Sequence, residues 1–197
     1  MHRFHILAAL TLLVVACAPS TDAPDADASN EGMQEATAAE PQSREELAMS
    51  AAPATIGAAA TLMDRDAAGE LVMLREGTNG WLCVTDENPM GPGDYPICLD
   101  GAWQSWFGSY QAGEAPQIDQ VGVSYMLQGG PAASNTDPMA SGPPEGEDWL
   151  MDGPHIMLIA PDPAMFDAHP TDHRPGEPYV MWSGTPYAHL MVPTETD

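Results

Sequence analysis

Asp100-Gly101-Ala102-Trp103-Gln104-Ser105-Trp106-Phe107-Gly108-Ser109-Tyr110-Gln111-Ala112-Gly113 is the stretch on which a reading of the fold turns. Trp103, Trp106, Phe107 and Tyr110 recur at i, i+3, i+4 and i+7, so a helix here carries an aromatic stripe on one face. Asp100 stands where a carboxylate accepts from the free N–H groups of a first turn. Gly113 stands where a helix stops. A stripe of this spacing is far more often packed into a core than offered to a ligand. The helix is therefore expected to lie across one face of a sheet.

The flanking segments supply the strands of that sheet. Downstream, Val121, Val123, Tyr125 and Leu127 alternate and predict a strand over 118–127. Residues 155–160 predict another, with Asp162 as cap and Pro163 opening a short helix through Phe166. Residues 178–182 and 187–192 predict a hairpin around Ser183-Gly184-Thr185-Pro186. Upstream, 70–75 and 81–84 flank Gly77-Thr78-Asn79-Gly80, where Asn-Gly supplies the positive φ values of a tight hairpin turn. Residues 55–63 are read as a strand, although their alanines favour helix. Residues 86–96 read as a loop ended by Cys98. The sum is an α+β class, a single compact domain over 54–197, with a mainly antiparallel sheet of about seven short strands and one main helix. A long loop over 128–148 is rich in Gly, Pro, Ser, Asn and Asp, and loops of that length are usually functional or disordered. Trp149-Leu150-Met151 is expected to pin its far end.

The first residues set the compartment. Met1 to His5 is a short basic start, and Ile6 to Ala16 is an apolar run too short to span a bilayer but of the length of a secretory signal. Val14-Val15-Ala16-Cys17 resembles the lipobox of bacterial lipoproteins. That resemblance implies a signal peptide over 1–16, lipidation at Cys17, and an outer-membrane lipoprotein of the cell envelope, facing the periplasm or the surface, since Ala18 rather than aspartate follows. An ordinary cleaved signal peptide is the alternative. Residues 17–53, rich in Ala, Asp, Glu, Ser, Thr and Pro, read as a disordered acidic tether, with 43–49 able to form a brief helix.

Charge excludes one class of partner. The 197-residue chain has a formal net charge of −24, and its five basic residues are all arginine. Nucleic-acid binding rests on neutralising phosphates with Lys and Arg, so no nucleic acid is expected as a partner. With Cys17 given to lipid, Cys83 and Cys98 remain as a pair in an oxidising compartment and predict one disulfide.

Four phrases carry a wider likeness: Arg75 to Cys83, Ser124 to Gly130, Ser134 to Pro138, and Gly184 to Met191. By these the chain is similar to an uncharacterised family of small exported bacterial proteins, with no established activity. The resemblance implies one domain and supplies no site residues.

The chemistry-bearing side chains are few. Gly-x-Ser-x-Gly, phosphate-loop, His-Glu-x-x-His and Cys-x-x-Cys-His motifs are absent from the sequence. His155-Ile156-Met157-Leu158 and His189-Leu190-Met191-Val192 share the form His-apolar-Met-apolar on predicted strands. Residues i and i+2 of a strand share a face, so His155, Met157, His189 and Met191 converge if the strands are neighbours. Imidazole with thioether is a soft donor set suited to a copper-like metal ion; the same residues also suit a mixed sheet in which methionine fills gaps. His169, Asp172 and His173 form a second candidate set for zinc or calcium, or a solvated polar loop. The expected function is a lipid-anchored acidic envelope domain that binds a protein or small-molecule ligand. The alternative is a metal-handling protein or a small metal-dependent hydrolase.

Overall fold

The computed structural model describes residues 42–85, 94–143, 145 and 149–195. The expectations for the signal segment, Cys17, the tether up to residue 41 and the loop over 86–93 lie outside the described residues. One sheet of eight strands carries the α+β fold that the sequence predicts. Its strands are β1 Thr61–Arg65, β2 Leu71–Arg75, β3 Leu82–Val84, β4 Ile97–Leu99, β5 Gly122–Met126, β6 His155–Ile159, β7 Tyr179–Met181 and β8 His189–Pro193. They lie in the order β2-β1-β3-β4-β5-β6-β8-β7, antiparallel throughout except for the β1–β3 pair.

The main helix forms where the aromatic spacing puts it. After two short N-terminal helices, α1 (Arg44–Ser50) and α2 (Ala54–Gly57), comes α3 (Gly101–Ala112). The Asp100 carboxylate accepts from Trp103 N at 2.9 Å and from Val123 N at 2.6 Å, so one side chain caps α3 and ties it to β5. Gly113 closes the helix with φ 70°, a left-handed conformation that costs a glycine nothing. Trp103 and Trp106 are buried under α3 against Val84, Ile97, Leu99, Met126, Met157 and Met191.

The opposite face of the sheet has its own cover. Ala48, Ala51, Ala52 and Ala60 pack on Leu62, Cys83 and Cys98. Small side chains allow that close approach: a Cβ on Gly57 would sit 2.7 Å from Met49 O. Cys83 and Cys98 face each other across β3 and β4 with Cα atoms 4.0 Å apart and form the expected disulfide. Such a bridge contributes about 3 kcal/mol in the chain-entropy account. Further along the same face, Phe166 of the 3₁₀ turn Pro163–Phe166 covers Val180, Ala188 and Leu190.

Four features differ from the sequence reading. Among the described residues, packed helical structure is already present from Ser43, within the stretch read as tether. Ser43 and Glu46 form a reciprocal capping box on α1, and Ala48 and Ala51 are fully buried. Residues 55–63 are not one strand: α2 occupies the start, the alanines following their helical preference, and β1 begins only at Thr61. The eighth strand is β4, too short for a period-two pattern to show. Gly77 to Gly80 do not form a hairpin turn, because β1 lies between β2 and β3. The segment instead crosses the start of β1, where a Cβ on Gly77 would come within 2.1 Å of Thr61 N. Asn79 serves that crossing, donating from Nδ2 to Ile56 O at 2.9 Å and accepting from Trp81 N at 3.1 Å.

A polar staple fixes α1 to the sheet. Arg44 grips Asp64 of β1 through Nε at 2.9 Å and through NH2, which also reaches Thr85 Oγ1 at 2.9 Å. The Thr85 hydroxyl donates to the same carboxylate. Donation from Arg44, then from Thr85, holds the Asp64 carboxyl down at about 2, against an ordinary value near 3.8. A carboxylate with a depressed folded-state pKa stabilises the fold above its unfolded value, and that contribution is lost as pH falls from about 4 to about 2. Arg44 is partly exposed, so the contribution is screened to about 1–2 kcal/mol. Asp64→Asn should therefore unfold at lower urea than the parent at pH 7, and the gap should close by about pH 2. Parallel pH profiles for the two proteins would refute the staple's role.

Candidate functional site

The face of the sheet under α3 is not filled. Between α3, strands β4, β5, β6, β7 and β8, and the segment 130–140 lies a cavity of about 830 Å³. Its walls carry Trp103, Trp106, Phe107, Tyr110, Trp149 and Trp182, together with Met126, Met157, Met181 and Met191. Asp152, His155 and His189 bring polar atoms to the same space.

Strand pairing explains how the histidines arrive there. β6 and β8 are antiparallel neighbours with Met157 opposite Met191 and His155 opposite Pro193. The period of two then puts His155, Met157, His189 and Met191 on one face, as the His-x-Met pairs suggested. A local two-fold axis between the two methionines relates the segments. It also sets the histidines at opposite ends of the Met pair, their backbones offset by about 13 Å along the strands at about 3.3 Å per residue.

Each ring is fixed by a carbonyl two residues before it. His155 Nδ1 lies 2.7 Å from Gly153 O, and His189 Nδ1 lies 3.0 Å from Tyr187 O. A carbonyl only accepts, so Nδ1 carries the proton in both rings and Nε2 keeps a lone pair. Burial holds both imidazoles below their ordinary value, His189 down to about 4 with His155 nearby adding to the effect. Both are neutral at pH 7. The edge of the His189 ring meets Trp103, Trp106 and Trp182, with centroids 5.0–5.9 Å apart. His155 is packed more closely on its other side, where a Cβ on Gly130 would lie 3.0 Å from its Cε1.

Asp152 is the nearby charge. Its carboxylate accepts from the Tyr179 hydroxyl at 2.9 Å, and His173 Nε2 stands 3.7 Å away. Burial and that carboxylate push the Tyr179 hydroxyl well above its ordinary value, so it stays protonated as the donor. His173 also meets the Tyr179 ring edge-on at 5.2 Å. The second candidate set thus comes apart: His173 turns to Asp152, and His169 and Asp172 do not join it. Among the described residues, no three His, Cys, Asp or Glu side chains gather as a metal cluster.

The loop expected to be functional does form a wall. Ala133 and Leu150 exchange backbone hydrogen bonds at 2.9 and 3.1 Å, so the 149–151 segment pins the loop as its residues predicted. Trp182 Nε1 donates to Ser134 O at 2.7 Å. Trp182 has φ 55°, rare for a bulky side chain and maintained only where the surroundings dictate it. Its ring lies nearly parallel to those of Trp106 and Tyr110. His155 and Trp149, both lining residues of the cavity, each hold a buried side-chain atom without a partner among the described residues, Nε2 and Nε1.

Asp152, Trp149, Trp182, Met126 and Met181 were not singled out as site residues by sequence. Trp149 and Trp182 sit at strand margins, where no periodic pattern marks them, and Asp152 is one acid among many. No protein-family model, curated protein or solved structure matches the chain.

The buried imidazoles carry a measurable signature. A histidine held below its unfolded pKa leaves the unfolded chain to bind the proton first, so stability is full above about pH 6.5 and falls as pH drops toward about 4. For His189 the difference approaches about 2–3 kcal/mol at the acid end. His189→Gln should flatten the urea midpoint between pH 7 and pH 4.5 relative to the parent. An unchanged slope would show that the ring is not held neutral by burial.

Proposed function

We propose that the chain is an exported, lipid-anchored domain of the cell envelope that binds a small molecule in the cavity under α3. The observation that carries this reading is a cavity of about 830 Å³ whose lining residues include two with an unpartnered buried polar atom, His155 Nε2 and Trp149 Nε1. Leaving a buried polar group unpaired costs about 1–3 kcal/mol, part of which a ligand with a donor for the imidazole would recover. The volume falls in the roughly 300–1,000 Å³ range of ligand pockets, and an aromatic wall with a few convergent polar groups is their usual makeup. The lipobox resemblance and the resemblance to small exported proteins support the location.

The His/Met set supports a second reading, a soft-metal site centred on Met157 and Met191 with one histidine. The offset between His155 and His189 makes it the weaker of the two.

Nile red, a neutral dye whose emission shifts to the blue in apolar surroundings, tests the cavity. It should bind and shift, quench the indoles of the wall, and lose affinity in Ala132→Phe, which narrows the space. Absence of any shift with excess dye, or an unaffected variant, would overturn the reading. The location has its own test: Cys17→Ala should move the protein from the membrane to the soluble fraction, and retention in membranes would refute the anchor.

A further inference from the structure

We infer that the ligand of this cavity is an organic cation, a protonated amine on an apolar body. The inference rests on the cavity being a ligand site and concerns the electronic character of its wall. The wall offers lone pairs and π faces far more than donors. His155 and His189 each keep a free Nε2 lone pair, because Nδ1–H is committed to Gly153 O and Tyr187 O. Four thioethers, those of Met126, Met157, Met181 and Met191, add weak acceptors and no donor. Of the four wall indoles, Trp103 donates to Met157 O at 3.2 Å and Trp182 to Ser134 O at 2.7 Å, while Trp149 Nε1–H is a buried donor without a partner among the described residues. The Tyr110 hydroxyl donates to Pro138 O at 2.7 Å.

Formal charge points the same way. Among the described residues, Asp66, Asp137 and Asp152 line the cavity with one guanidinium, that of Arg65, which donates to Gly69 O at 2.9 Å. Asp152 is the buried one, with a side chain 9% exposed, and its ion-pair contact is His173 at 3.7 Å. A carboxylate has about four acceptor positions, and the Tyr179 hydroxyl supplies one proton to them. A buried carboxylate short of counter-charge next to a free imidazole acceptor is suited to an ammonium group with N–H donors. Aromatic rings attract a cation through their quadrupole. The net charge of −24 raises the local concentration of cations without selecting among them. An anionic ligand would meet the reverse of what it needs, and a neutral one would leave Asp152 with only the Tyr179 hydroxyl and His173 as partners.

Calorimetric titration of the full chain at pH 7 with 2-phenylethylammonium and with 2-phenylethanol separates charge from shape. The alcohol keeps the size, a donor and an acceptor, and lacks the charge. The ammonium ion should bind about tenfold or more tightly than the alcohol, and its affinity alone should weaken as salt is raised. Asp152→Asn should bring the two toward parity with little change for the alcohol. Should that variant fail to fold, the salt dependence of the parent decides the matter. Equal or tighter binding of the alcohol, or binding of neither while Nile red still enters, overturns the cation and leaves the cavity a ligand site. Failure of all three compounds removes both readings.

Discussion

One carboxylate sets the geometry on which the rest depends. Asp100 accepts from the first turn of α3 and from the backbone of β5 together, so the helix cannot tilt without breaking its link to the sheet. Hydrogen bonds to an ionised acceptor are the stronger kind, about 1.5–3 kcal/mol each. With the helix start fixed, its three-and-four spacing delivers Trp103 and Trp106 onto the sheet, while Phe107 and Tyr110 reach the cavity wall. The cavity is the space left where a helix carrying large rings spans a sheet face lined by flexible methionines.

Legibility in the sequence followed the range of the interaction. The helix, the β7–β8 hairpin, the strands at 122–126 and 155–159, and the disulfide were readable because local pattern or cysteine count encodes them. Gly77-Thr78-Asn79-Gly80 was misread because its residue types suit a hairpin as well as a crossing. What decides between them is whether another strand fills the gap, and β1 does so through long-range pairing. The N-terminal helices were undervalued for a related reason. A helix that packs by alanine looks in composition like a tether, and only the closeness of Ala48 and Ala51 to the disulfide reveals it as core.

The site was legible in part. The repeated His-x-Met form located two strands that prove to be neighbours, and it named four residues that line one cavity. What the repeat could not show is register. Pairing Met157 with Met191 separates the histidines; a slip of two residues along either strand would have brought one histidine closer to the other strand's methionine and changed the chemistry. Asp152 and Trp149 escaped notice because their importance lies in surroundings, one short of counter-charge and the other of a partner.

The distribution of stabilising devices across the sheet follows a physical logic. The disulfide, the Arg44–Asp64–Thr85 staple and the alanine packing of α1 and α2 all lie on the face away from the cavity. The face toward it holds two buried neutral imidazoles, a bulky residue at positive φ and unpaired polar atoms. The positive φ and each unpaired atom weaken the folded state by about 1–3 kcal/mol, and the imidazoles weaken it only as pH falls below about 6.5. A single sheet shared by both layers transmits the rigidity of one face to the strands of the other, so β4 and β5 are held from behind while their front is left open. Had the same devices been placed beneath α3, they would have filled the volume that makes the site. The division of labour between the two faces is what lets so small a domain keep an aromatic-walled cavity open on one side of its sheet.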